Sequence, residues 1–274
     1  MSNRTDKPHK IKLTRKCWAG GDGCYGPITK EHVVSDGILK HIGPLSTSIS
    51  NMKLGSGSFV IRSLCERHNR LLSQYDDEAI KFFNGFYSFI CEKDERNRSN
   101  SEVITINVNG YKLEKWFAKT LFNHSLFQAA VLGLDNHLSP LATHSIYNKL
   151  FSDENFNEPF GLYFVKPDKP IGANLSLNSW SFCPQFGHHM ILHKKVKKQR
   201  QYNHPNYYYT KMGPFELIGF FNLLNLDDEF ALNSVLRSTN KNLENRALYR
   251  QVKFGFNTID AKSDPNRIVQ VNWD

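Results

Sequence analysis

The sequence predicts an α+β protein built in two parts, and three observations carry that reading. Residues 17–62 are rich in Gly and Ser and hold only short β-branched runs such as EHVV and FVIR, the pattern of short strands and loops. Residues 67–90 place apolar side chains at helical spacing: Leu71, Leu72, Tyr75, Ala79, Phe82, Phe83 and Phe86. Beyond residue 102, several β-type runs surround one strong amphipathic helix, which predicts a mostly antiparallel sheet with helices against it.

The division falls at EKDERNRSNSE, residues 92–102, which is charged, polar and free of large apolar groups. It separates a domain over 1–95 from a second over 102–274. In the second, VITINV (103–108) reads as a strand and Asn109-Gly110 as a turn. KLEKWFAKTLFNHSLFQAAVL (112–132) is a helix that turns Leu113, Trp116, Phe117, Leu121 and Leu126 to a core. LSPLATHSIYNKLF (138–151) predicts another helix, and DDEFALNSVLRS (227–238) a short one. GLYFV, LSLNSWSF, HHMILH, FELIGFFNLL and YRQVKFGF are the expected strands.

Composition limits the class. With 274 residues, 40% of them hydrophobic, the chain is long enough for a real core and is not a disordered protein. No stretch approaches the roughly 20 apolar residues of a membrane span, and the N-terminus lacks the apolar core of a secretory signal. A soluble, cytoplasmic protein with no membrane partner is expected. No G-x-x-x-x-G-K-[ST] loop or serine nucleophile elbow is present, so neither nucleotide-driven work nor serine hydrolase chemistry is indicated.

The net charge of +9 suits a polyanionic partner, and its distribution is more telling than its total. The N-terminal arm carries Arg4, Lys7, Lys10, Lys12, Arg15 and Lys16 against one acid, Asp6. A second cluster, Lys194, Lys195, Lys197, Lys198 and Arg200, leads into an aromatic run from Tyr202 to Tyr209. Cations neutralise a phosphate backbone and aromatic rings stack on bases. Lys10, Lys12, Arg15 and Lys16, with the second cluster, are therefore the candidate nucleic-acid contacts.

Of the five cysteines, Cys91 and Cys183 stand alone among apolar residues and read as small buried hydrophobes. The other three form a pattern: C17-WAGGDG-C24, then L64-C65-E-R-H68-N69. The Gly-rich segment can fold tightly enough to aim Cys17 and Cys24 at one centre. Cys65 and His68, three apart at the start of a helix, share a face. Four such ligands in two pairs make a tetrahedral zinc site, and a structural zinc would hold a loop-rich segment that has little core. The six-residue gap between Cys17 and Cys24 is wider than the usual two to four. Between the pairs stands Glu31-His32, and directly after the second comes Asn69.

This constellation resembles the HNH, or ββα-metal, endonucleases. ITKEHVVSDGIL (28–39) is similar to that family's acid-His-x-x-Pro strand, and SLCERHNRLLSQYDDE (63–78) to its metal-binding helix. The resemblance covers about residues 15–80. It implies a zinc-braced ββα-metal domain, His32 as general base, Glu31 and Asn69 holding a catalytic Mg2+ or Mn2+, and a separate structural Zn2+ on Cys17, Cys24, Cys65 and His68. It further implies hydrolysis of DNA phosphodiester bonds, with RNA as a lesser alternative substrate, in a bacterial restriction or antiphage-defence setting. The division of labour is chemically sound: imidazole activates water near neutral pH, and a hard cation on oxygen ligands offsets charge on the phosphorus oxygens.

The sequence departs from that pattern in three ways. Ser35 stands where Pro is usual, His68 where a second Cys is usual, and the family's middle Asn has no counterpart. An alternative assigns His68 to the catalytic metal, leaving zinc short of a ligand. Adjacent strand residues also face opposite sides, so Glu31 and His32 serve one site only where the strand ends or bulges. The competing function is a non-catalytic zinc-stabilised module that binds nucleic acid or protein. Cleavage of both DNA strands would call for a homodimer or a partner protein. Asp76, Asp77 and Glu78 read as a solvated helix face, and His188, His189 and His193 as strand residues at the surface or in contact with nucleic acid rather than metal ligands.

Overall fold

A computed structural model describes residues 17–20, 23–42, 45–46, 53–54, 59–91, 102–131, 147–156, 161–165, 185–193, 200–212, 215–221, 248–250, 256–260 and 267–273. The fold is mixed helix and strand, as the residue pattern requires.

Two antiparallel strands, β1 (Ile28–His32) and β4 (Val60–Cys65), open the chain's described core. Between them lie a short helix, α1 (Asp36–Ile42), and a two-residue ladder of β2 (Leu45–Ser46) with β3 (Lys53–Leu54). The sequence reading had only strands and loops over 17–62, so α1 is a correction. Seven residues with Gly37 near the start carry too weak a period to detect, and the helix is held by burial of Ile38 and Leu39 rather than by propensity.

β4 runs straight into α2 (Glu66–Cys91), one continuous helix of 26 residues. Its inward stripe is Leu72, Tyr75, Ala79, Phe82 and Phe83, as spacing predicts; Leu71, expected with them, is exposed instead, and the side chain of Phe86 lies outside the described residues. β5 (Glu102–Val108) leads into α3 (Gly110–Val131), within two residues of the expected limits. Asn109 caps that helix: its Oδ1 accepts from the Lys112 amide at 2.9 Å. From Leu113 to His124 every side chain of α3 is buried, with Trp116, Phe117, Leu121 and Phe122 fully so.

The later strands form two sheets. In the larger, β6 (Gly161–Val165), β7 (Gln185–His193), β8 (Arg200–Met212), β9 (Phe215–Phe220) and β10 (Leu248–Arg250) pair in the order β10-β6-β9-β8-β7, all antiparallel. In the smaller, β11 (Phe256–Asp260) pairs antiparallel with β12 (Arg267–Trp273), and β12 pairs parallel with β5. That parallel pair carries the C-terminal strand back beside the first strand of the second half. The expected helix over 138–151 is described only at 147–151, which is helical. The strand expected over 175–182 and the helix over 227–238 lie outside the described residues.

Buried side chains from both halves fall in a single cluster, running from Val33 and Val34 through Phe59, Leu64 and Phe82 to Trp116, Phe127, Leu162 and Phe221. The polar stretch 92–102 thus joins two segments that share one interior. Among the described residues, no helix is long and apolar enough to cross a membrane.

Candidate metal centre and its neighbourhood

Four ligand atoms converge where the spacing of residues placed them. The Nδ1 of His68 lies 3.4 Å from the sulfur of Cys17, 3.7 Å from Cys24 and 3.3 Å from Cys65. All four ligand atoms are within 4.8 Å of one another. A tetrahedron with about 2.3 Å to sulfur and about 2.1 Å to nitrogen has edges of about 3.6–3.8 Å, so the four fit a zinc ion.

The backbone explains how the wide Cys17–Cys24 spacing closes. Gly23 and Gly26 sit at φ 114° and 78°, which side-chain-bearing residues rarely adopt. A Cβ on Gly26 would stand 2.8 Å from Cβ of Glu66, so only glycine lets this loop lie against the start of α2. The first turn of that helix has amide donors with no helical acceptor, and the loop supplies acceptors. Pro27 O accepts from the Glu66 amide at 3.0 Å and Tyr25 O from the Arg67 amide at 3.3 Å. The Arg67 guanidinium adds a bond to Gly23 O at 2.8 Å. On the other side, the Trp18 amide bonds to Ser63 O, and the Trp18 ring packs on Phe122 and Phe151.

The electrostatics of the cluster suit a dication. Burial, then the bond to and charge of Cys17, push the Cys24 thiol up to about 11, because three thiols cannot all ionise side by side. Burial would raise Cys65 too, but amides of His68 and Tyr25 donate to its sulfur and hold it below the ordinary thiol value. Burial, with the neighbouring Arg67, keeps the His68 imidazole neutral, the form that ligates metal. Zinc would be held by all four residues. His68 faces this cluster, with its ring edge against Phe151, and so belongs with the three cysteines.

The proposed hydrolytic residues lie one helix turn and one strand away. The β1–β4 ladder shifts register between Thr29 and Lys30 and is regular from there to His32. Alternation therefore holds where it matters: Glu31 faces the core, while Lys30 and His32 face outward. The His32 side chain is 37% exposed and its Nε2 lies 3.9 Å from Asp36 Oδ1, whose other oxygen pairs with Lys40 at 2.6 Å. Asn69 reaches back to β1, donating from Nδ2 to Thr29 Oγ1 at 3.0 Å and to Lys30 O at 3.4 Å.

Glu31 has a different partner. Its carboxylate pairs with the ammonium of Lys119 on α3, which also pairs with Asp76 of α2 at 2.6 Å. The Lys119 side chain is 1% exposed and that of Glu31 6%. Asp76 in turn accepts from Ser35 Oγ and, at 3.1 Å, from the Trp116 indole. Burial alone would lower Lys119, but Asp76 and then Glu31 outweigh it and hold the ammonium charged. Burial holds the Glu31 carboxyl above the ordinary carboxylate range, and Lys119 offsets only part of that rise. The residue pattern read Asp76 as solvated; it is a correction. The signal was present, since Asp76 lies four beyond Leu72 and three before Ala79, on the apolar stripe. Lys119, flanked by Phe117 and Leu121, gave no comparable hint.

The donor set expected for a second, divalent ion does not assemble. Glu31 is turned inward onto an ammonium, and Asn69 turns its nitrogen, not its oxygen, to β1. Of the basic residues expected to meet nucleic acid, Lys10, Lys12, Arg15, Lys16, Lys194, Lys195, Lys197 and Lys198 lie outside the described residues, and Arg200 begins β8. His188, His189 and His193 fall on strand β7, as expected. The chain matches no family model, no curated protein sequence and no solved structure.

Proposed function

We propose that the chain is a zinc-braced endonuclease of the HNH type, acting on DNA through His32 as general base. The observation that carries this reading is the packing of one antiparallel strand pair and the helix after it around a Cys3His cluster, with an exposed imidazole on the last residue of the first strand. An imidazole with its ring open to solvent can take a proton from water near neutral pH. Asn69 braces the strand beside it. The basic arm and the second basic cluster would neutralise phosphates, and a homodimer would cut both strands.

The test is nicking of supercoiled plasmid by the zinc-loaded full chain, with Mg2+ and with Mn2+ in separate arms. Loss of cleavage in His32→Ala, with zinc content and circular dichroism unchanged, is the expected result; equal cleavage by that variant would end the catalytic assignment. RNA of matched length is the comparison substrate.

A second reading is favoured by the Glu31–Lys119 pair, which removes the carboxylate that a catalytic cation needs. In it the chain is a zinc-stabilised module that binds nucleic acid without cutting it. Salt-dependent DNA binding with no cleavage under either divalent ion would select this reading.

A further inference from the structure

We infer that Glu31 and Asp76 form an internal cation site that the chain fills with its own Lys119, so that no divalent ion binds at Glu31. The inference stands on the geometry around Lys119. It deepens the hydrolytic reading only by saying which cation sits behind His32.

Two carboxylates from different elements, β1 and α2, converge on one ammonium from a third, α3. Two acidic groups around a single positive centre are what a hard divalent ion selects from oxygen ligands. Here the centre is a nitrogen on a four-carbon stem whose helix neighbours, Trp116, Phe117, Leu121 and Phe122, are packed in the core. The ammonium cannot swing aside into solvent without unpacking α3. A hydrated ion has little room to enter: Lys119 is 1% exposed and Glu31 6%, and the Ser35 hydroxyl and the Trp116 indole already bond Asp76 Oδ1, while Asp76 itself is partly open to solvent. A divalent ion added beside Lys119 would also place like charges within contact distance.

The groups are matched rather than merely close. Glu31 and Asp76 carry two negative charges against one positive, and the excess is met by two neutral donors on Asp76. Lys119 thereby ties the end of β1 to both long helices, one residue from His32.

The experiment is an electron paramagnetic resonance titration of Mn2+ into the zinc-loaded full chain, following loss of the free-ion signal. The wild type and Glu31→Gln should titrate alike. Lys119→Ala, which exposes the carboxylate pair, should gain one Mn2+ per chain with at least about tenfold tighter binding than wild type, and Asp76→Asn added to it should abolish that gain. One Mn2+ held by wild type and lost in folded Glu31→Gln would overturn the inference, as would a folded Lys119→Ala that gains no ion. Should Lys119→Ala fail to fold, the wild-type comparison with Glu31→Gln decides alone. Plasmid cleavage by His32→Ala, scored in parallel, reports on the hydrolytic reading separately: either result there leaves the Mn2+ outcome intact.

Discussion

Replacing Lys119 by Met asks how much the buried ion triad contributes. Met fills most of the Lys stem, so packing against Phe122 and Trp116 changes little and the loss is chiefly the ammonium. Asp76 keeps the Ser35 hydroxyl and the Trp116 indole, whereas the carboxylate of Glu31, 6% exposed, keeps no partner among the described residues. Removing one member of a buried pair costs about 3–5 kcal/mol, because the other charge is left uncompensated. Against a total stability of about 5–15 kcal/mol this is a large fraction. Glu31→Gln leaves Lys119 paired with Asp76, so it should cost less, about 1.5–3 kcal/mol, the range for a hydrogen bond to a charged group. The double variant should be more stable than Lys119→Met alone, since no bare carboxylate remains. The assay is urea unfolding at neutral pH with zinc in excess, followed by circular dichroism. A stranded Glu31 carboxyl takes a proton more readily in the folded chain than in the unfolded one. The Lys119→Met deficit should therefore narrow as the pH falls from about 8 to about 5. A loss below about 1 kcal/mol, or a double variant no more stable than Lys119→Met alone, would refute this account of the triad.

Three further outcomes follow from the same geometry. The purified chain should carry one zinc per molecule by mass spectrometry, and Cys65→Ser or His68→Ala should release it to a chromogenic chelator at far lower chelator concentration than wild type. Gly26→Ala forces a side chain into φ 78° and against Glu66; it should cost about 1–3 kcal/mol and loosen zinc by about tenfold or more in competition titrations. His124, fully buried, is pushed down to about 3 by its loss of solvation, so the unfolded chain takes up a proton that the folded chain refuses between about pH 6.5 and about pH 3. Stability should fall by about 1.4 kcal/mol for each pH unit across that window, and His124→Leu, which shares every other titration, should show a shallower decline. Parallel acid-unfolding curves for the two proteins would rule out the burial of a neutral imidazole.

The ligand cluster was legible because each half is a local pair of soft ligands, Cys17 with Cys24 across a Gly-rich loop and Cys65 with His68 at a helix start, and two such pairs fit one tetrahedral centre although they lie more than 40 positions apart. The α2 and α3 helices were legible for the same reason, since their apolar stripes recur every three or four residues. What escaped was non-local. Asp76 and Lys119 lie 43 positions apart and become partners only when α2 packs on α3. Each alone looks like an ordinary charged helix residue. The single interior shared across residues 92–102 was equally hidden, because a polar stretch reads as a boundary whether or not the segments beside it pack together. The α1 helix escaped through brevity.

Strand alternation decides how the neighbourhood of His32 can work. A two-residue period puts Glu31 and His32 on opposite faces of β1, and the bulge at Thr29–Lys30 comes too early to change that. The inward residue is then committed to structure and the outward one is free for chemistry. On this view the zinc cluster anchors the start of α2, Lys119 anchors the end of β1, and His32 is presented between two fixed points without touching either. Under the proposed hydrolytic reading, a cation at the substrate would have to reach the outward face, where Asn69 and Lys30 stand, and not the carboxylate behind it. Under the proposed reading, loss of Glu31 is a stability defect and loss of His32 a chemical one. The two variants should therefore separate cleanly, Glu31→Gln lowering the unfolding midpoint while retaining cleavage per folded molecule, and His32→Ala doing the reverse.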